Sequence, residues 1–372
     1  MKRVASLVAL AATLFLAVVA AAAPPAVDAE AYLVQNGVTG DVLAEYEPRE
    51  RLPMASITKL MTALIALERD SPDEIVTVTS RAAGVGESTI DLRPGERIAL
   101  RDLIRAALVQ SANDAANAIA AHVGGSIPRF VALMNARAQE LGLTDTHFAN
   151  PDGLDAPGHF SSARDVTLLA RIAMKQPLIR ETVRLVDTTA AGRRLRTWND
   201  LLSTFPNLIG VKTGHTGGAG WSQVAAARGG GVTIYATILG GATREGRNAD
   251  LAELLTWGLS RYRTVWAIDG ERAYGSVRTA YGRPAVRVVP ERPALRIVRI
   301  DRSLVERVVL PLEAALPVRR GQQLGEVQVL DGGKVIARSP LVAANGVGRP
   351  GKLGRVRFYA GRTIDHLGGL FG

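Results

Sequence analysis

The chain has no cysteine among its 372 residues, which rules out both a disulfide framework and thiol chemistry. Histidines number five and do not cluster with acids at ligand spacing, so no metal or other cofactor is implied. Aromatic residues make up 5%, too few and too scattered for a base-stacking nucleic-acid surface, despite a net charge of +10. Lysine is scarce as well: there are six, at positions 2, 59, 175, 212, 334 and 352. Scarcity gives weight to any lysine that falls in a short pattern with hydroxyl residues.

Two of the six do. Ser56 and Lys59 stand three residues apart at the head of an apolar run over 60–67, with Pro53 before them, which reads as the entry into a helix. Residues i and i+3 share a helix face, so hydroxyl and amine meet one turn apart. A serine hydroxyl is a poor nucleophile until a neighbour takes its proton, and a lysine can do so once burial or positive neighbours lower its pKa. A helix N-terminus also favours negative charge developing on that oxygen. The run behind the pair is apolar on every side, the mark of a helix inside a core. Ser111-Ala112-Asn113 follows a stretch, 100–110, with apolar residues at helical spacing and precedes an alanine-rich helix at 114–123. It offers a second hydroxyl to relay a proton and an amide to bind a substrate carbonyl. Lys212-Thr213-Gly214 follows the apolar 208–211 and fits a strand edge, supplying a charge, a hydroxyl and a glycine for close approach of a substrate backbone.

Ser-x-x-Lys, Ser-x-Asn and Lys-Thr-Gly in that order form the motif set of penicillin-binding proteins and class A β-lactamases. The chain resembles the serine-type D-alanyl-D-alanine carboxypeptidases, the low-molecular-mass penicillin-binding proteins, in these motifs and in Leu92 to Glu96, Asn150 to Leu154, Ser162 to Asp165 and Gly246-Arg247. That resemblance covers nearly the whole chain after the first residues. It implies a three-layer fold and acyl transfer from a peptidoglycan stem peptide ending in D-Ala-D-Ala, which limits cross-linking. Ser56 would attack the penultimate carbonyl with Lys59 as general base. The oxyanion hole would be built from the Ser56 N–H and an N–H following Lys212-Thr213-Gly214. Ser111 would pass the proton to the leaving amine and Asn113 would hold the substrate amide. Lys212, Thr213 and Arg247 would bind the terminal carboxylate, which a guanidinium fork fits best, while Gly214 lets the substrate backbone come close. Arg247 falls at a helix start, where the dipole disfavours a cation, and this favours a ligand role; Arg244 competes with it. His215 lines the site in the family and stays outside the catalytic set. β-Lactam antibiotics are expected as covalent inhibitors. Two other classes compete. A β-lactamase of class A needs a Glu-x-x-Leu-Asn run that is absent between Asn113 and Lys212. A non-catalytic wall- or membrane-binding relative would have no physical reason to keep Ser56, Lys59, Ser111 and Lys212 together.

Residues 1–23 read as an export signal, with Lys2 and Arg3 in front, an apolar core over 4–20 and small residues before Pro24 and Pro25. An uncleaved membrane anchor is the alternative. Residues 24–270 read as the catalytic domain. A hairpin lies at 32–46, helices dominate 100–141, a loop rich in Asp, Pro and Gly covers 144–160, and further helices follow at 163–174 and 248–262. Strands at each end around a helical middle predict an α/β (α+β) fold with one antiparallel sheet flanked by helices. Up to residue 270 there are 27 basic and 27 acidic residues, and from 271 onward 18 and 8. Short alternating strands and the Asp331-Gly332 turn make 271–350 a small basic all-β domain. In 351–372, a helical wheel puts Leu353, Val356, Ala360, Ile364, Leu367 and Phe371 on one stripe, as in a helix lying in a membrane surface. Gly354, Gly361, Gly368 and Gly369 weaken that helix, and a frayed tail is the alternative. Export and a tail of this kind are expected to put the protein outside the cytoplasm, and the resemblance implies the periplasm or peripheral attachment at the outer face of the bacterial inner membrane.

Overall fold

A computed structural model describes residues 7–14 and 23–368. The chain divides into two compact units: one is Ala23–Ser260, and the other is formed from Arg261 onward together with the N-terminal residues.

The first unit is built on a five-stranded antiparallel sheet. Its strands are β1 (Ala31–Asn36), β2 (Val42–Tyr46), β3 (Leu208–Thr216), β4 (Gly220–Gly229) and β5 (Val232–Gly241), in the spatial order β2-β1-β5-β4-β3. The central strands are apolar on both faces because helices cover both. On one face lies α4 (Arg244–Ser260), whose Leu251, Leu254 and Leu255 are buried. Gly258 allows this packing, since a Cβ there would stand 2.8 Å from Ile234 and 3.2 Å from Val34. On the other face lies α3 (Ala163–Ala173), where the Thr167 and Thr237 hydroxyls are hydrogen-bonded at 2.6 Å. Behind α3 sits α1 (Lys59–Arg69), buried from Lys59 to Ala66 as its all-round apolar sequence requires. It packs against α2 (Asn113–Gly124) and the helix Ile127–Glu140. This is the expected antiparallel sheet flanked by helices.

The second unit begins before Gly270, because Tyr262–Ile268 pairs with Ala294–Arg299 rather than with the first sheet. The composition break at 270/271 therefore falls inside this unit. Its larger sheet has Leu304–Pro311, Gln323–Asp331, Lys334–Ala343, Val286–Pro290 and Gly275–Thr279 in adjacent order, over a core that includes Val277, Val286, Val288, Val327 and Leu341. The hairpin between Gln323–Asp331 and Lys334–Ala343 turns through Gly332 and Gly333, both at positive φ, where glycine carries no steric penalty. Leu7–Leu14, within the segment read as an export signal, lies antiparallel along Leu304–Pro311. The rest of that segment, up to residue 22, lies outside the described residues. A final helix, α5 (Lys352–Gly368), covers most of the tail, and its side chains beyond Ala360 are outside the description, as is Phe371. Its aromatic pair Phe358 and Tyr359 meets Tyr281 edge-on at 5.7 and 6.0 Å between ring centroids. Leu353 and Val356 are exposed, at 89% and 67%.

Candidate active site

Ser56 lies on a single 3-10 turn, Ala55–Thr58, that runs directly into α1. The residue before it, Ala55, has φ +47°, a left-handed conformation that costs a non-glycine residue about 1 kcal/mol or more. Three contacts hold it there. The Thr58 hydroxyl donates to the Ala55 carbonyl at 2.8 Å. His159 accepts from the Ala149 N–H on Nδ1, so its Nε2–H donates to Thr58 Oγ1 at 2.7 Å. Burial lowers the His159 pKa to about 4, which keeps the ring neutral and the arrangement fixed. Gly153 closes the third side: a Cβ there would fall 2.0 Å from the Ala55 carbonyl oxygen.

Lys59 has no exposed surface. Its Nζ lies 2.7 Å from Ser56 Oγ, 2.7 Å from Asn113 Oδ1 and 2.6 Å from the Asp152 carbonyl oxygen. Burial brings its pKa down to about 7, against an opposing pull from the Asp152 carboxylate. As a neutral amine, Lys59 can donate its two protons to the two carbonyl oxygens and aim its lone pair at the serine hydroxyl. Asp152 is itself held: Oδ2 accepts from Asn117 at 2.5 Å and Oδ1 from the Leu154 N–H at 3.0 Å.

The other motif residues come to the same place. Ser111 ends a wide helical turn, Ala106–Gln110, at φ +63°, which directs it across to the β3 edge. Lys212 Nζ donates to Ser111 Oγ at 2.9 Å and to the Thr213 carbonyl at 2.9 Å. Its pKa is held well below the usual lysine value, first by burial and then by the charges of Lys59 and Arg247. Asn113 donates from Nδ2 to the Gly86 carbonyl at 3.0 Å while its Oδ1 takes Lys59. It therefore positions the base as well as facing the cavity. Gly214 lies against the Ser56 turn as well as lining the cavity. A Cβ there would stand 2.8 Å from the Met54 carbonyl and 3.2 Å from the Ser56 nitrogen, so the close approach it permits is that of the nucleophile turn to β3.

A cavity of about 320 Å³ opens over Ser56, Ser111, Asn113, Thr213 and Gly214, with Arg247 and Arg244 on its wall. The two arginines differ. Arg244 is paired bidentately with Asp200, at 2.8 and 2.6 Å. Arg247 is 2% exposed, contacts the Asn248 amide oxygen, and faces Trp221 at 5.7 Å; among the described residues no carboxylate pairs with it. Burial lowers its pKa to about 10, so it stays charged at neutral pH. His215 stacks on Trp221 at 3.9 Å between ring centroids and lines the cavity without touching either serine–lysine pair. Sequence reasoning passed over Glu87, Ser88 and Trp198, which also line it, and the supporting residues Asp152, Asn117, Thr58 and His159. The run Asn150-Pro151-Asp152-Gly153-Leu154 was the available signal for two of the contacts.

Two serine–lysine pairs, with both serines facing one cavity at the edge of an antiparallel sheet, have the geometry that acyl transfer of the serine–lysine class requires. The chain belongs to the D-alanyl-D-alanine carboxypeptidase family, whose profile matches residues 18–243. It is 36% identical to the D-alanyl-D-alanine carboxypeptidase DacD of Salmonella typhimurium over 90% of each chain. The corresponding identity to the E. coli enzyme DacA is 32%, over 92% of this chain and 89% of that one. Among solved structures, penicillin binding protein 6B from E. coli superposes with a TM-score of 0.65 at 30% identity, covering 87% of this chain and 98% of that one. The Streptomyces K15 DD-transpeptidase matches 63% of this chain and 99% of its own, with a TM-score of 0.60.

Proposed function

We propose that the protein is a serine D-Ala-D-Ala carboxypeptidase in which Ser56 carries the acyl group. Lys59 takes the Ser56 proton as Oγ attacks the carbonyl of the penultimate D-alanine. The Ser56 N–H and an N–H following Gly214 stabilise the oxyanion. The carbon–nitrogen bond to the terminal D-alanine breaks, and its amine receives a proton through Ser111, which Lys212 holds in place. Water then releases the shortened peptide and restores Ser56. Arg247, with Lys212 and Thr213, receives the terminal carboxylate, Gly214 lets the substrate backbone come close, and Asn113 faces the substrate amide. β-Lactams, which present a strained amide and a carboxylate, acylate the same serine.

The observation that carries this reading is the Lys59 amine, wholly buried, near-neutral and 2.7 Å from Ser56 Oγ. Mass spectrometry tests it. Penicillin should add one equivalent to the tryptic peptide containing Ser56, and a pentapeptide ending in D-Ala-D-Ala should lose one D-alanine. Label that survives Ser56→Ala would overturn the assignment. Slow loss of the label separates a carboxypeptidase from a β-lactamase.

We further propose that residues 1–23 direct export and are removed, leaving a catalytic unit up to Ser260, a second unit from Arg261 whose basic part is 271–350, and a tail at 351–372. The enzyme then works in the periplasm, held at the membrane surface by its tail. No helix among the described residues is long and apolar enough to cross a membrane. The outward-facing Leu353 and Val356 on α5 support surface attachment.

A further inference from the structure

Trp198 stands on the cavity wall beside Arg244 and Ser111, and none of the steps above uses it. A large aromatic side chain that is 50% exposed at the mouth of a site needs a reason, and its fastening supplies one. The indole N–H donates to the carbonyl of Gln110, the residue next to Ser111, at 3.0 Å. The Arg244 guanidinium lies over the ring at 5.6 Å, and Arg244 is one turn before Arg247 on α4. The ring thus bridges the two groups that bound the leaving residue: Ser111, which meets its amine, and the arginine wall, which meets its carboxylate. The amine and the carboxylate stand on one carbon, whose other substituents are a hydrogen and the side chain, so a wall spanning the two polar groups lies within reach of that side chain.

We propose that Trp198 is the specificity-determining residue for the substrate's terminal position, its ring forming the wall that admits a small D-residue and turns away a long or branched one. This rests on the carboxypeptidase reading above. The wall is stiff. Asn199, the next residue, is buried and accepts from Gln223 at 2.9 Å. Asp200 is gripped by Arg244 and by the Asn248 amide at 2.9 Å. A side chain extending from the leaving residue has to displace a ring fastened at its N–H and covered on one face by Arg244. By the same logic the wall opposes cleavage of cross-links, in which the terminal residue carries a second peptide on its side chain.

The test compares kcat/KM for N-acylated peptides ending in D-Ala-D-Ala, D-Ala-D-Leu and D-Ala-D-Lys acylated on its side chain, by mass-spectrometric release of the last residue. Steric discrimination of this kind spans about 10- to 200-fold. In Trp198→Ala the ratio of D-Leu to D-Ala turnover should rise roughly 10- to 100-fold, with Trp198→Phe between it and the wild type. The acylated D-Lys peptide should gain in step. A ratio that stays within about threefold in both variants overturns the proposal, as does loss of penicillin acylation in both, which would make the ring a structural support instead. If the wild-type enzyme releases no D-alanine and takes no penicillin label, the carboxypeptidase reading has failed, and Trp198 is not the cause.

Discussion

At the scale of single residues, the site depends on how few partners its charges have. Lys59 is near-neutral because burial removes water and its nearest contacts are neutral oxygens. Acylation by penicillin should therefore rise about tenfold per pH unit below about 7 and level off above it, as Lys59 loses its proton; a rate independent of pH between 5 and 8 would exclude it as the base. The same shift affects stability. The unfolded chain keeps that proton up to the ordinary lysine pKa of 10.5, so Lys59 opposes folding fully below about pH 7, and the opposition fades as pH rises towards 10.5. Arg247 meets the opposite need, since its charge is intact and has no carboxylate partner among the described residues. Arg247→Ala should slow turnover of substrates with a free C-terminus by roughly 10- to 150-fold, the equivalent of about 1.5–3 kcal/mol, and affect thioester substrates without one far less. Arg244→Ala, whose charge already belongs to Asp200, should not show that selectivity. The serines and lysines were legible in the sequence because scarce lysines sit in patterned positions. The Asp152 carbonyl and the His159–Thr58 support were not: a main-chain oxygen leaves no mark on residue type, and a buried histidine resembles any other.

At the scale of elements, an apolar run revealed α1, and local patterning revealed α3, the hairpin of β1 and β2, and most strands of the second unit. It could not reveal the turns that aim the serines. Ser56 follows a left-handed alanine and Ser111 is itself left-handed, and neither residue type announces that conformation. The geometry is imposed by neighbours, chiefly Gly153 and Gly214, so its weak points lie away from the motifs. Gly153→Ala combines φ +93° with a Cβ 2.0 Å from a backbone oxygen. It should lower Tm measurably and reduce acylation by at least tenfold, because the nucleophile turn has to move to make room. An acylation rate equal to wild type would show that this turn is not held as described. α4 begins at Arg244, earlier than the helix expected at 248–262, which puts both arginines in its first turn and makes the choice between them a matter of partners instead of reach.

At the scale of the molecule, the net charge lies wholly beyond residue 270, and α5 follows at its end. Lysine and arginine near an anionic leaflet contribute about 1 kcal/mol each. The intact chain should sediment with anionic vesicles at low salt and be partly released at high salt, while deletion of 352–372 should abolish sedimentation at moderate salt and leave turnover of soluble peptides unchanged. Binding indifferent to the deletion would move the contact to the β domain. The charge break was legible by counting, but the unit boundary before it was not, because pairing between Tyr262–Ile268 and Ala294–Arg299 is a long-range choice that local composition does not encode. The outward face of α5 has a consequence for the protein in a test tube. With Leu353 and Val356 uncovered and no lipid present, another copy becomes the nearest apolar surface. Purified full-length enzyme should then form clusters whose size grows with concentration and which mild detergent disperses, whereas the chain ending at 351 stays a single species.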